Sequence, residues 1–171
     1  PTTPEHVEKS LGEATLVVDG GPTGFGIEST IVDATRTPLV VLRRGSITLE
    51  DVAAIAEVVD RGDAVAAEGE RAAAPGSMAR HYAPRVPLTI AAADTLVADG
   101  EAGLVHRAGA APPSGFARTI TLPDDPRGYA SGLYAALHAL EDAGVARIVV
   151  ESVPEDAAWA AVRDRLTRAA R

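Results

Sequence analysis

Residues 129–151 have the sequence YASGLYAALHALEDAGVARIVVE. Large apolar residues recur in its first half at intervals of three or four, which predicts an amphipathic helix. Gly144 suits the end of that helix, and residues 147–151 then form a short β-branched run typical of a buried strand. The helical face consists of Tyr129, Leu133, Leu137 and Leu140.

The segments around this helix–strand unit repeat the alternation. Residues 86–91, 103–106 and 119–123 are predicted strands, and residues 155–169 are a predicted helix with an apolar face. Strands that alternate with helices indicate an α/β layer architecture. The inward face of the last helix is predicted to contain Trp159, Val162 and Leu166.

The first third of the chain has a different order of elements. Thr3 followed by Pro4 predicts a helix start, with the helix ending near Leu11. Three strands are then predicted, and a helix with a capping box at Thr48-Leu49-Glu50-Asp51 follows them. The predicted strands cover residues 15–18, 29–33 and 38–43, and the helix covers residues 48–59.

Composition limits the class of protein. The 171 residues are 46% hydrophobic and carry a net charge of −8, without cysteine. The acidic balance argues against direct tRNA binding, because nucleic-acid binders ordinarily need a basic surface. The lack of cysteine excludes disulfides and thiolate chemistry. No apolar run approaches the ~18 residues of a membrane span, so no membrane association is predicted.

A glycine-rich loop, residues 20–26, precedes the hydroxyl residues Ser29 and Thr30. Glycines allow backbone N–H groups to approach an anion closely. The loop matches neither a Walker A sequence nor a dinucleotide fingerprint, since a strand rather than a helix follows it. An ordinary hairpin loop is the alternative. Arg43, at the end of a predicted strand, is a candidate phosphate ligand or a solvated charge.

Residues 75–84 have the sequence PGSMARHYAP and connect the two halves. Prolines at both ends stiffen the segment. Arg80, His81 and Tyr82 stand between them, and such side chains bind adenine or phosphate by stacking and hydrogen bonding. The alternative is a connector held by a buried tyrosine.

Metal and nucleophile signatures are missing from the sequence. His6, His106 and His138 lack the spacing to acidic residues that a metal site requires. The order of residues supports no Ser-His-Asp triad, so no catalytic side chain and no metal ligand is predicted.

Five motifs occur in order along the chain. They are Pro1-Thr2-Thr3, Asp19-Gly20-Gly21-Pro22, residues 26–33 (GIESTIVD), residues 41–45 (VLRRG) and residues 75–84. In order and spacing these motifs resemble the threonylcarbamoyl-AMP synthase family. The resemblance covers nearly the whole chain, and Tyr134 to Leu166 also fits the smaller C-terminal domain of two-domain members.

The resemblance implies an α/β fold in three parts. Residues 1–60 would be the C-terminal part of a YrdC-like catalytic domain. Residues 61–85 would be a linker with an active-site lid motif, and residues 86–171 a small Rossmann-like α/β domain. Arg44 stands where the family usually has proline, which is expected to loosen that turn.

The family makes threonylcarbamoyl-adenylate from L-threonine, bicarbonate and ATP and releases pyrophosphate. By resemblance, Ser29 contacts threonine, whereas Thr2, Arg43, Arg80, His81 and Tyr82 contact ATP, with Mg²⁺ expected beside the phosphates. A second enzyme, the tRNA-modifying transferase, would then use the product in the cytoplasm. Positioning and electrostatics would carry the catalysis, so no nucleophile is needed.

The ATP-binding and threonine-binding motifs of the family's first half are absent from the sequence. We therefore expect this stretch alone to be inactive. Two other interpretations stay open: a YrdC-like carbamoyltransferase, and a non-catalytic nucleotide-binding or regulatory fragment.

Overall fold

The computed structural model describes residues 2–12, 15–21, 23–62, 75 and 83–171. It contains two β-sheets, one of three strands and one of four. The Arg80-His81-Tyr82 segment lies outside the described residues.

The three-stranded sheet belongs to the first part of the chain. Strand β1 (Ile31–Asp33) pairs antiparallel with β2 (Leu39–Arg43), and β2 pairs parallel with β3 (Val58–Asp60). Helix α1 (Pro4–Leu11) precedes the sheet, and helix α2 (Leu49–Ala53) connects β2 to β3. The predicted capping box of α2 is confirmed, with Thr48 and Asp51 bonded reciprocally.

Two predictions for this region are wrong. Residues 15–18 form no strand; Leu16 is 90% and Val18 86% exposed, so their apolar alternation buries nothing in the described structure. The predicted helix over residues 48–59 ends at Ala53. Val58 and Val59 are β-branched and pair with β2 instead, which is the tertiary contact that overrides the helical spacing.

The four-stranded sheet is entirely parallel and has the order β4-β7-β5-β6. Parallel strands need covering on their faces. Helix α3 (Pro126–Asp142) crosses from β6 to β7, and helix α4 (Ala160–Ala169) follows β7. The strands are β4 (Leu88–Ala91), β5 (Ala102–Arg107), β6 (Arg118–Leu122) and β7 (Arg147–Glu151).

The main hydrophobic core lies between this sheet and helices α3 and α4. The predicted apolar faces of both helices are confirmed, since all their members are buried. Trp159 meets Tyr129 edge-to-face at 5.4 Å. The last helix starts later than predicted, because residues 157–159 form a 3-10 turn before α4.

The fold is therefore mixed α/β with a parallel sheet, as the sequence predicted. Among the described residues, no helix has the length and apolar character to cross a membrane.

Candidate functional site

Ser29 and Arg43, two of the predicted site residues, lie side by side. Arg43 ends β2, and antiparallel pairing sets it opposite Ile31, two residues after Ser29. The Arg43 guanidinium donates from Nε to the Ser29 backbone oxygen at 2.9 Å and from Nη2 to Ser29 Oγ at 3.2 Å. Its Nη1 donates to the Pro75 carbonyl at 3.1 Å. The Arg43 side chain thus connects Ser29, which precedes β1, to Pro75, the first residue of the 75–84 segment.

The turn after β2 packs tightly against the segment after Ser29. A Cβ atom on Gly45 would lie 2.3 Å from Thr30 N, so only glycine fits there. Thr30 Oγ1 donates to the Ile47 carbonyl at 2.7 Å and accepts from Ile47 N at 3.1 Å. These contacts fix the backbone on which the Ser29–Arg43 pair depends.

Arg44 does not leave the turn loose, contrary to expectation. Its Nε and Nη2 both lie 2.9 Å from Asp60 Oδ2, at the end of β3. The forked ion pair to the neighbouring strand replaces the constraint that a proline ring would supply.

The described hydrogen bonds of Thr2 are made to His6 and Thr23, not to the Ser29–Arg43 pair. Thr2 is buried, and its backbone N and Oγ1 lie 3.3 and 3.2 Å from His6 Nδ1. Its carbonyl accepts a long hydrogen bond from Thr23 N at 3.4 Å, which links α1 to the glycine-rich loop. Its described hydrogen bonds therefore do not reach Ser29 or Arg43.

The glycine-rich loop is used for packing. Gly26 has φ +70°, and a Cβ atom there would lie 2.5 Å from the Ala130 carbonyl of α3. Just before it, Phe25 lies under the Arg127 guanidinium, 4.7 Å from the ring centre. The described loop residues thus dock on α3.

A cavity of about 390 Å³ lies between the two sheet regions, next to the turn that follows Arg43. Loop residues from the first part and helix residues from the second form its walls. They include Phe25, Gly45, Ser46, Pro126, Ala161 and Val162.

Two residues next to the Ser29–Arg43 pair, Glu28 and Arg165, were not predicted from the sequence. Glu28, directly before Ser29, accepts from Arg165 Nε on α4 at 2.8 Å. Arg165 also donates from Nη2 to the Arg44 carbonyl at 2.8 Å. In the sequence Arg165 resembles a solvated helix charge; its 137-residue separation from Glu28 gives no local signal.

A histidine pair lies between α1 and α3. The rings of His6 and His138 are 4.1 Å apart. Burial lowers the pKa of both rings, and the charge of His138 further lowers the pKa of His6. Among the described residues, no group of three His, Cys, Asp or Glu side chains could hold a metal ion.

Comparison with known proteins identifies relatives for the whole chain. The family described as threonylcarbamoyl-AMP synthase, C-terminal domain, matches residues 47–171. Threonylcarbamoyl-AMP synthase of Bacillus subtilis is 30% identical over 190 residues, covering 99% of this chain and 53% of the relative. That of Pyrococcus abyssi is 30% identical over 188 residues, with the same coverage.

Solved structures agree with the fold. The crystal structure of P. abyssi Sua5 complexed with L-threonine matches with a TM-score of 0.77 and 27% identity, over 99% of this chain and 54% of that one. A variant of P. abyssi Sua5 matches with a TM-score of 0.75 and 24% identity, over 99% and 53%. The chain thus spans about half the length of the relatives it matches. It belongs to the threonylcarbamoyl-AMP synthase family.

Proposed function

We propose that this chain supplies the C-terminal part of an L-threonylcarbamoyladenylate synthase. The reaction joins L-threonine, bicarbonate and ATP, forms threonylcarbamoyl-AMP and releases pyrophosphate and water. Residues 1–60 would complete a YrdC-like catalytic domain, residues 61–85 a linker and residues 86–171 a Rossmann-like domain. The product would serve the tRNA-modifying transferase in the cytoplasm, without direct tRNA binding by this chain.

The observation that carries this proposal is the three-way contact of Arg43. One guanidinium holds the backbone and hydroxyl of Ser29 and the Pro75 carbonyl at the start of the 75–84 segment. A cation in that position suits the negative charge that develops on the phosphates as pyrophosphate leaves. Ser29 is then the threonine contact beside it.

Arg80, His81 and Tyr82 are proposed as further ATP contacts, because Arg43 bonds to the first residue of their segment. Thr2 is proposed as an ATP contact by resemblance to the family; its described contacts are to His6 and Thr23. Bound Mg²⁺ would neutralise phosphate charge. Among the described residues, no group of three His, Cys, Asp or Glu side chains could hold the ion.

The exposed apolar side chains support the need for a further catalytic segment. The main core packs on the four-stranded sheet, whereas large apolar side chains around the three-stranded sheet face outward. We propose that the rest of the catalytic domain covers them. They are Leu11, Leu16, Val18, Phe25, Ile47, Ile55 and Val59.

Pyrophosphate release tests the proposal. The chain is assayed with ATP, bicarbonate and L-threonine, alone and with the first half of the catalytic domain fused or added as a second polypeptide. We expect turnover that requires both threonine and the added half. The completed protein is hereafter called the complemented enzyme.

Other outcomes point to other functions. Turnover that ignores threonine and consumes carbamoyl phosphate indicates a carbamoyltransferase. ATP binding by the complemented protein without pyrophosphate release indicates a regulatory fragment, and either result contradicts the proposal.

A further inference from the structure

Arg165 on helix α4 contacts both flanks of the Ser29–Arg43 pair. Its side chain is 1% exposed, yet it reaches from the four-stranded to the three-stranded sheet region. Nε donates to Glu28 Oε2 and Nη2 to the Arg44 carbonyl, each at 2.8 Å. Glu28 directly precedes Ser29, and Arg44 directly follows Arg43.

The flanking contacts are rigid because the arginine is itself held. Its Nη1 donates to Asp164 at 2.6 Å, and Asp164 accepts from Arg168 Nε at 3.0 Å. Both Asp164 and Arg168 are buried. The guanidinium therefore has little freedom to follow a moving partner.

The same network returns to the turn after β2. Arg168 Nη2 donates to the Gly62 carbonyl at 3.2 Å, and Gly62 N donates to Asp60 Oδ1 at 2.9 Å. Asp60 in turn pairs with Arg44. The hydrogen bonds form a closed circuit between α4 and the ends of β2 and β3.

Helix α3 adds a weaker contact to the same carboxylate. Tyr134 Oη donates to Glu28 Oε2 at 3.4 Å. Both helices that cover the four-stranded sheet thus reach the residue before Ser29.

A buried ion network of this kind is a poor source of stability, because desolvation of the charges offsets their attraction. Its better-attested effect is to select one arrangement of the groups it joins. Glu28 is bonded directly to Ser29, and Arg44 directly to Arg43, so a shift of either flanking residue also displaces its neighbour in the pair.

We infer that Arg165 is a positioning residue for the Ser29–Arg43 substrate pair, through which α4 sets the geometry of the threonine site. The inference rests on the proposed function, because only there are Ser29 and Arg43 substrate contacts. Through Arg165, the four-stranded sheet region would influence the reaction without contacting substrate.

The kinetic test compares two arginines of α4 in the complemented enzyme. Arg165→Lys keeps the charge but loses the fork, and Arg165→Met loses both. Arg163 is the matched control, since it donates to the Pro154 and Asp156 carbonyls within its own region. We expect the Arg165 variants to raise KM for threonine about tenfold or more, and Arg163→Lys to change it less than about twofold. If part of the enzyme fails to fold, the apparent kcat falls but KM does not change. An unchanged KM for threonine in both Arg165 variants therefore overturns the inference.

Amide hydrogen exchange provides a readout that does not require turnover. In Arg165→Lys, amide exchange should accelerate at residues 28–31 and 43–45 and stay unchanged in β5 and β6. In Arg163→Lys, amide exchange at residues 28–31 and 43–45 should not change. Equal exchange in both variants at those segments overturns the inference even if the proposed function fails. If the Arg165 variants do not fold, the same two experiments are done with Glu28→Gln, at a side chain that is 30% exposed.

Discussion

Arg43 donates two hydrogen bonds to Ser29, one to its backbone oxygen at 2.9 Å and one to its hydroxyl at 3.2 Å. The two residues are 14 positions apart, and the antiparallel pairing of β1 with β2 brings them together. Ser29 is exposed and Arg43 is half-buried, so the pair is accessible to solvent. The pair is thus a preformed polar contact at the edge of a sheet.

Loss of the Arg43 fork should impair the complemented enzyme strongly. Arg43→Lys keeps a positive charge but cannot bond Ser29 O, Ser29 Oγ and Pro75 O together. We expect kcat/KM for threonine-dependent pyrophosphate release to fall by roughly 100-fold. Arg36→Lys is the control, since Arg36 is exposed and pairs only with Asp33 among the described contacts. Equal activity of the two variants would contradict the assignment.

Ser29→Ala should affect threonine more than ATP. It removes the hydroxyl that Arg43 Nη2 contacts and leaves the backbone oxygen in place. We expect KM for threonine to rise by roughly tenfold with KM for ATP little changed, as for loss of one polar contact to a substrate. Initial rates with each substrate varied in turn measure the two values. A larger change for ATP would reassign Ser29 to the nucleotide.

Gly26→Ala should detach the glycine-rich loop from α3. The new Cβ would lie 2.5 Å from backbone atoms of Ala130 and Ser131, at φ +70°, which an L-residue adopts with strain. We expect the free energy of unfolding to fall by about 2 kcal/mol or more. Gly24→Ala is the matched control, because a Cβ there meets nothing within 4 Å. Urea denaturation of both variants measures the difference.

The sequence predicted the four-stranded region better than the three-stranded one. Strand β7 was predicted at its observed bounds, because its β-branched run follows a glycine that ends a regular helix. Val58 and Val59 were assigned to a helix, since only the parallel pairing of residues 58–60 with β2 reveals a strand. Parallel pairing joins distant residues and leaves no local pattern.

The site was predictable where residue chemistry is distinctive. Ser29 and Arg43 were both named from hydroxyl and guanidinium groups beside strands, and the structure brings them together. The Glu28–Arg165 contact was not predictable, because charged residues on a helix are ordinarily solvated and the partner is 137 positions away. Burial distinguishes Arg165 and Arg168 from Arg163 on the same helix.

Asp125 should contribute to stability as the cap of α3. Its side chain accepts from Gly128 N at 2.7 Å, the contact expected of an N-cap carboxylate. Asp125→Ala should lower the free energy of unfolding by about 1 kcal/mol, whereas Asp125→Asn should cost only a few tenths, since both caps rank about equally. Equal losses for the two variants would show that capping is not the cause.

The His6–His138 pair should make the contact between α1 and α3 sensitive to pH. Burial lowers the pKa of both rings below the ~6.5 of the unfolded chain. Between the folded and unfolded values the unfolded state binds more protons, so the free energy of unfolding decreases as pH falls below about 6.5. Nearby Glu141 opposes the shift of His138 but does not reverse it.

The other charges at this contact do not produce that pH dependence. The hydrogen bond from Lys9 lowers the pKa of Asp142, so this carboxylate keeps its charge throughout the neutral and mildly acidic range. Urea denaturation at pH 7.5, 6.5 and 5.5 should therefore show a decline that His6→Gln and His138→Gln each reduce. If the double variant kept the full decline, its source would be another group that titrates in this range, and the His6–His138 pair would not cause the pH dependence.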